Sequence, residues 1–410
     1  MTQRLYHRDA YLREFDAHVS AVTPAVRDSE GPAITLTETA FYPTSGGQPS
    51  DRGRVDGASV IDVREEAGVI WHVLEAGAAA PAVGDRVRGV IDWDRRFDHM
   101  QQHTGQHILS AAFLEALDAH TVAVHMGASC TLDLSGGLRG DDDVARVEDL
   151  ANTVVMENRA VTVREVDPEE VEALGLRRPP KRTGRIRVVD VAEFDRSACG
   201  GTHVSTTGQV GQIVVLGWER HKGGIRVEFL CGWRALRDSR RIRTAVRGLA
   251  AQLSVGEPDL TEAVRRLREH ARDLERDLAD ARGRLLAQEA KALTAALGVD
   301  RAEPPRAGSP AIIAAAFAGR AIDELRALAR LVTAQTDCVA IFATDPDRRI
   351  LIARSPTVGI DASAMLRETV APFGGRGGGK PEAAEGMAAG APSASALVEA
   401  ARAVASRSSS

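Results

Sequence analysis

Between Trp233 and Leu297 the apolar residues keep a heptad rhythm, and this constrains the fold of the chain more than any other feature. Ala235, Ser239, Ile242, Val246, Leu249 and Leu253 alternate steps of four and three residues, and Leu260, Val264, Leu267, Ala271, Leu274, Leu278, Ala281 and Leu285 do the same. Such spacing gathers apolar side chains into one seam of an α-helix. Val255-Gly-Glu-Pro-Asp interrupts the pattern, and Asp259 with Glu262 has the spacing of a capping box that opens the second helix. The segment reads as a helical hairpin spacer over residues 233–300, whose second helix would extend about 57 Å if it ran to Leu297. Its seams can pair within the chain or between chains, so a homodimer and a purely structural coiled-coil scaffold are both open.

Three further regions flank this spacer. Residues 1–92 carry β-branched runs such as Val60-Ile-Asp-Val, Val69-Ile-Trp-His-Val-Leu and Arg86-Val-Arg-Gly-Val-Ile, bounded by turn residues, which suit a small β-barrel. From Arg95 the period becomes helical, with Ile108, Leu109, Ala112, Phe113 and Ala116 on one face, and strands return around 131–134, 160–166, 186–191 and 212–216. Residues 93–232 thus read as an α+β domain. Residues 301–410 alternate buried-strand patterns with helices over 320–335 and 393–405, an α/β unit. The fold class is a multidomain α+β protein. No run reaches the roughly 18 apolar residues of a membrane span, and the N-terminus has no apolar stretch for secretion, so a cytoplasmic protein with no membrane partner is expected.

Four cysteines scattered over 410 residues are too few for a disulfide framework, so a special cysteine is expected to be a metal ligand or nucleophile. The constellation that carries chemistry is His103-Thr-Gly-Gln-His107 in the expected helix together with Cys199-Gly-Gly-Thr-His203 after an expected strand. Helical positions four apart project side by side, and Gly200 and Gly201 permit a tight loop. Three imidazoles and one thiolate suit one tetrahedral Zn²⁺ per chain, with His103, His107, Cys199 and His203 as ligands. The zinc-protease motif is excluded, because Thr104 stands where its glutamate base belongs.

Three other strings are distinctive. Thr37 to Asp51 contains Gly46 and Gly47, which allow close backbone approach to a ligand, beside Gln48, which offers a donor and an acceptor; alone this reads equally as a hairpin turn. Arg177 to Arg187 carries six basic residues and no acidic one. The net charge of −5 gives no global attraction to a polyanion, so Arg177, Arg178, Lys181, Arg182 and Arg185 would have to track phosphates locally. Gly374 to Lys380 could form an anion-binding nest from Gly377, Gly378 and Gly379, with Lys380 as counter-charge.

Taken together, Phe41-Tyr-Pro-Thr-Ser-Gly-Gly-Gln-Pro-Ser-Asp, His103-Thr-Gly-Gln-His, Ile186-Arg-Val-Val-Asp, Ala198-Cys-Gly-Gly-Thr-His-Val and Gly374-Gly-Arg-Gly-Gly-Gly-Lys-Pro-Glu resemble the long, AlaX-type freestanding alanyl-tRNA editing proteins and the editing and C-terminal parts of alanyl-tRNA synthetase. The resemblance covers nearly the whole chain. It implies an N-terminal β-barrel, a zinc-containing α+β editing domain, a helical spacer and a C-terminal DHHA1-type domain that binds tRNA. It implies hydrolysis of tRNA(Ala) mischarged with serine, and also with glycine. Thr39 matches the family's contact to the serine hydroxyl, and Gln48 beside Gly46 and Gly47 is expected to place the ester or its attacking water. The chain begins near the editing region, so editing without aminoacylation is expected. Its C-terminal string continues Lys380-Pro-Glu-Ala-Ala-Glu where the family more often has Met-Ala-Gln. Editing of Ser-tRNA(Thr) and a non-catalytic, zinc-stabilised tRNA-binding role are the alternatives.

Overall fold

The computed structural model describes residues 2–24, 31–178, 184–296 and 310–407. The chain forms two compact units, Met1–Gln252 and Leu253–Ser410. The expected boundary near residue 92 therefore does not separate compact bodies. Arg96 explains why: it is fully buried, and its guanidinium donates to the buried Asp51 carboxylate at 3.0 Å and to the Ala10 carbonyl at 2.9 Å. A buried pair of this kind is costly to break, so it ties the two regions together.

The first unit opens with β1 (Gln3–Arg4) and α1 (Leu5–Arg8), followed by β2 (Glu14–Thr23), β3 (Ala33–Leu36), β4 (Glu38–Thr39), β5 (Gly53–Val55), β6 (Ala58–Glu66), β7 (Val69–Leu74) and β8 (Arg86–Ile91). Six of these strands close a barrel in the order β2-β3-β7-β6-β5-β8, and β1 pairs in parallel with β4 beside it. Alternation along β2 and β8 turns Phe15, Ala17, Val19, Val87 and Ile91 inward, where they pack with Ile34, Val60, Val63 and Ile70. Closure leaves these strands no free edge.

Next comes α2 (Trp93–Leu117), capped by Asp92, whose side chain accepts from the Arg95 amide at 3.2 Å. The sequence suggests one apolar face, but from His99 to Phe113 this helix is buried on every side, its polar residues included. Around it lie β9 (Thr121–Met126), β10 (Cys130–Leu134), α3 (Asp141–Met156), β11 (Val161–Val166), α4 (Pro168–Val171), β12 (Ile186–Val191), β13 (Asp195–Ala198), β14 (Ile213–His221) and β15 (Gly224–Cys231). They make a four-stranded sheet, β14-β15-β10-β9, and a three-stranded one, β11-β12-β13. Both sheets are antiparallel. Ile108, Leu109 and Phe113 pack with Leu132, Val154, Val189 and Phe229 in one core.

The two heptad segments are α5 (Gly232–Leu253) and α6 (Leu260–Ala296). They fall on either side of the division between the units, so the expected spacer over 233–300 is not a body of its own. Glu262 does not form the expected capping box; its carboxylate pairs with Arg265. The seams are uncovered: Ile242 and Leu249 on α5, and Leu267, Leu274, Leu278 and Leu285 on α6, are all about half exposed or more, with Leu285 at 64%. At its C-terminal end α6 packs Leu286, Ala290 and Leu293 onto the second unit's core.

That unit continues with β16 (Ala311–Ala318), α7 (Ile322–Gln335), β17 (Cys338–Asp345), β18 (Arg349–Arg354), α8 (Ala362–Val370), β19 (Arg376–Lys380), β20 (Ala383–Met387) and α9 (Ala394–Arg407) in a sheet ordered β16-β17-β18-β20-β19. Only β16 and β17 pair in parallel among its described strands. The seven residues Cys338 to Thr344 of β17 are buried without a break, Val339 and Ile341 facing α8 and α9 and Ala340 and Phe342 facing α7. The glycine-rich string is β19, an exposed edge strand and not the expected nest. A nest needs alternating right- and left-handed residues, and Gly374 alone in this string has a left-handed φ.

Candidate functional site

His103 and His107 stand one helical turn apart on α2, and the loop leaving β13 carries Cys199 and His203 against them. The ligating atoms of these four side chains all lie within 4.8 Å of one another, in surroundings that bury the three histidines and half-bury the cysteine. Cys199 Sγ is 3.3 Å from His103 Nε2 and 3.4 Å from His203 Nε2. A thiolate and an imidazole sharing one tetrahedral zinc stand roughly 3.6 Å apart, close to these two separations, so the cluster is one that could gather around such an ion. Gly201 is what lets the loop close so tightly, since a Cβ there would meet His103 Cε1 at 2.1 Å. Arg187 then pins the loop, donating from one guanidinium nitrogen to the carbonyls of Cys199 at 2.8 Å and Gly201 at 2.7 Å.

Each imidazole is held by its other nitrogen. His103 Nδ1 lies 2.7 Å from Gln48 Oε1, His107 Nδ1 lies 3.1 Å from Asp195 Oδ2, and His203 Nδ1 lies 3.1 Å from Thr104 Oγ1. All three rings can therefore donate outward from Nδ1 and turn a free Nε2 lone pair to a common centre, the arrangement that fixes a metal ligand's tautomer and raises its basicity. Asp195 is held in turn by Arg177 Nε at 2.7 Å and Ser197 Oγ at 3.0 Å.

The ionisable groups of the cluster act strongly on one another: burial, with His103, brings His203 down to about 3. Burial raises the Cys199 thiol, but His103, His203 and hydrogen bonds to the histidines outweigh it and bring the thiol well below its ordinary pKa. Burial also opposes charge on His107, yet the Asp195 hydrogen bond and Cys199 push it up to about 9. Asp195 falls to about 2, its burial overcome by His107 and Arg177.

Gly46 and Gly47 form the turn their spacing suggests, with φ of 58° and 87°, and the backbones of Ser45 and Gln48 exchange hydrogen bonds across it at 3.1 and 2.9 Å. The turn does more than reverse the chain. It delivers Gln48 to the ligands, where Oε1 accepts from His103 and from the Thr202 amide at 3.1 Å, and Nε2 donates to Thr202 Oγ1 at 2.8 Å. Gln48 is thereby bonded to His103 and Thr202, beside the cluster. Thr39 is fully buried, its hydroxyl bonded to His72 and to the Phe41 amide. Of the other lone histidines, His99 is buried and His125 exposed.

The basic string is divided. Arg177 commits its guanidinium to Asp195 and Ser197 and is largely buried, not free to track phosphates. Arg178 is exposed, and Arg185 is exposed with Asp167 and Glu165 near it. Lys181 and Arg182 lie outside the described residues. Gly377, Gly378, Gly379 and Lys380 line the exposed β19 edge. Sequence reasoning passes over Asp195, Thr104, Thr202 and Arg187. Thr104 and Thr202 sit inside the two histidine motifs, and Arg187 inside the Ile186-Arg-Val-Val-Asp string, so their positions are a usable signal; Asp195 has none.

Residues 186–228, which include Cys199 and His203, match the threonyl and alanyl tRNA synthetase second additional domain. Residues 13–95 match class II (A) tRNA synthetases, and residues 310–407 match the DHHA1 domain. The chain is 30% identical over 395 residues to the alanyl-tRNA editing protein AlaX-L of Pyrococcus horikoshii, covering 94% of both chains. It is 31% identical over 288 residues to the alanyl-tRNA editing protein Aarsd1 of Rattus norvegicus, covering 67% of this chain and 69% of that one. It is 37% identical over 280 residues to an alanine–tRNA ligase of Pyrococcus abyssi, covering 65% of this chain and 30% of the ligase.

Proposed function

The chain belongs to the family of alanyl-tRNA editing proteins, and from that premise we propose that it is an aminoacyl-tRNA deacylase that clears serine, and also glycine, from mischarged tRNA(Ala). The observation that carries this reading is the convergence of His103, His107, Cys199 and His203, with every imidazole anchored from behind. Zn²⁺ is the ion this donor set suits, one per chain. His103, His107, Cys199 and His203 would hold it, and with four protein donors it would serve chiefly to hold the site in shape around the acylated 3′ end.

Selection falls to side chains. Serine differs from alanine by one hydroxyl, and a pocket that hydrogen-bonds this group rejects the analogue lacking it far more strongly than packing alone could. Thr39 supplies that contact in this proposal, and Gln48 acts through His103. Water adds to the ester carbonyl, the bond to the ribose oxygen breaks, and that oxygen leaves with a proton as the amino acid is released. Arg178, Arg185 and the Arg376 to Lys380 edge are the exposed cations that would meet tRNA phosphates. A homodimer formed through α6 or the C-terminal domain suits the uncovered seam leucines. No described helix is long and apolar enough to cross a membrane; the proposed tRNA substrate is what places the protein in the cytoplasm.

Deacylation of Ser-, Gly- and Ala-tRNA(Ala), each with and without a chelator, tests the reading. Fast loss of serine, slow loss of alanine and sensitivity to the chelator are expected. A protein that binds tRNA(Ala) and leaves all three esters intact would be a binding protein instead, and faster release from Ser-tRNA(Thr) would move the substrate to that tRNA.

A further inference from the structure

His72, on barrel strand β7, is buried with both ring nitrogens committed. Its Nδ1 stands 3.2 Å from the Ile34 carbonyl, which can only accept, so the ring proton sits on Nδ1. Burial brings its pKa down to about 4, so the imidazole is neutral near pH 7 and Nε2 carries a lone pair. Thr39 Oγ1 is 2.8 Å from that Nε2, and the hydroxyl must therefore be the donor. The Phe41 amide donates to the same oxygen at 3.1 Å. A hydroxyl has one proton and two lone pairs. The proton and one pair of Thr39 are used, and a single lone pair remains.

We infer that His72 is a positioning residue for substrate selection: by taking the Thr39 hydroxyl proton it leaves Thr39 able only to accept, so the site reads amino acids whose side chain donates a hydrogen bond. This rests on the assignment of Thr39 as the contact to the serine hydroxyl. Serine has the required donor. Alanine has none, and 2-aminobutyrate carries a methyl where serine carries its hydroxyl, so it is refused on polarity and not on size. Glycine has no side chain, and its release does not pass through this contact. Without His72 the Thr39 hydroxyl turns freely, its lone pair is no longer held ready for a donor, and the contact that favours serine over a methyl is weakened.

His72 also packs edge-on against Phe41, with ring centroids 5.4 Å apart, so a purely structural role must be separable. The full-length protein, His72→Gln and His72→Phe are compared on Ser-, 2-aminobutyryl- and Gly-tRNA(Ala), with zinc content measured for each. Glutamine keeps an acceptor for Thr39 and a donor for Ile34; phenylalanine keeps the ring and neither. The expected result is a serine-over-aminobutyrate ratio in kcat/KM that is retained by His72→Gln and reduced about 10-fold by His72→Phe, with glycine release and zinc content unmoved. A wild-type ratio in His72→Phe overturns the inference, as does equal loss of serine and glycine activity. Should His72→Phe fail to fold, the ring-nitrogen chemical shifts of histidine-labelled wild-type protein decide the matter, and a proton found on Nε2 of His72 overturns the inference. A wild-type protein inactive on Ser-tRNA(Ala) would refute the editing assignment itself, a result distinct from either of these.

Discussion

Gln48 Oε1 accepts a hydrogen bond from His103 Nδ1 across 2.7 Å, joining residues 55 apart in sequence. A glycine turn in the barrel region thereby supports His103, one of the four clustered donors, on α2. Removing such a support typically costs roughly 10–100-fold in metal affinity. Gln48→Ala should therefore weaken zinc binding by that order in a chelator competition, with far-ultraviolet circular dichroism unchanged. Unaltered zinc affinity with reduced deacylation would show that Gln48 acts on the ester instead.

Arg177 and Asp195 form a buried pair behind His107, which sets Arg177 apart from the exposed arginines of its string. Arg177→Ala leaves the Asp195 carboxylate short of a partner and should cost about 3 kcal/mol of stability in urea unfolding, together with part of the zinc affinity. The salt dependence of tRNA binding should not change. Exposed Arg178, replaced by alanine, should do the reverse, lowering the slope of log K against log salt by about 1 while stability holds. A shallower slope in Arg177→Ala would return that residue to the RNA surface.

His72 should make the fold sensitive to acid. Its pKa falls from 6.5 to about 4 on burial, so between these values the unfolded chain binds the proton and the folded chain does not. Its contribution is complete above pH 6.5 and is lost as the pH falls towards 4, amounting in full to about 3 kcal/mol. Near pH 5 the loss should be about 2 kcal/mol relative to pH 7. Urea midpoints of wild type and His72→Gln at the two pH values measure it: the glutamine variant should lose less stability on acidification. Equal losses would mean that His72 titrates normally in the folded protein.

Leu267, Leu274 and Leu285 stand exposed along one seam of α6. If a second copy of the chain covers this seam, sedimentation equilibrium should give a dimer for the wild type at micromolar concentration and a monomer for Leu267→Glu combined with Leu274→Glu, with zinc content retained. Identical masses for the two proteins would exclude α6 as the contact.

The four clustered donors are readable in the sequence because each pair is local. Four residues of helix bring His103 beside His107, and two glycines and a threonine let Cys199 and His203 share one loop. Their supports are not readable, because Gln48 and Asp195 arrive from other elements and a lone glutamine or aspartate has no spacing to betray it. Arg177 shows the converse. It belongs to a basic string that reads as solvated, yet Asp195 draws it inward. Likewise Gly377, Gly378 and Gly379 suggest a loop by composition, and pairing with Ala383 to Met387 makes them part of a strand.

The amino-acid order by itself determined the helices of the heptad region, the barrel strands and the two local His and Cys pairs, since periodicity and short-range geometry act within a few residues. Tertiary structure alone decided that barrel and α+β region form one unit, which side chain stands behind each histidine, and which way the Thr39 hydroxyl points. Those outcomes depend on burial and on hydrogen-bond partners that only folding brings within about 3 Å of one another, and no local pattern encodes them.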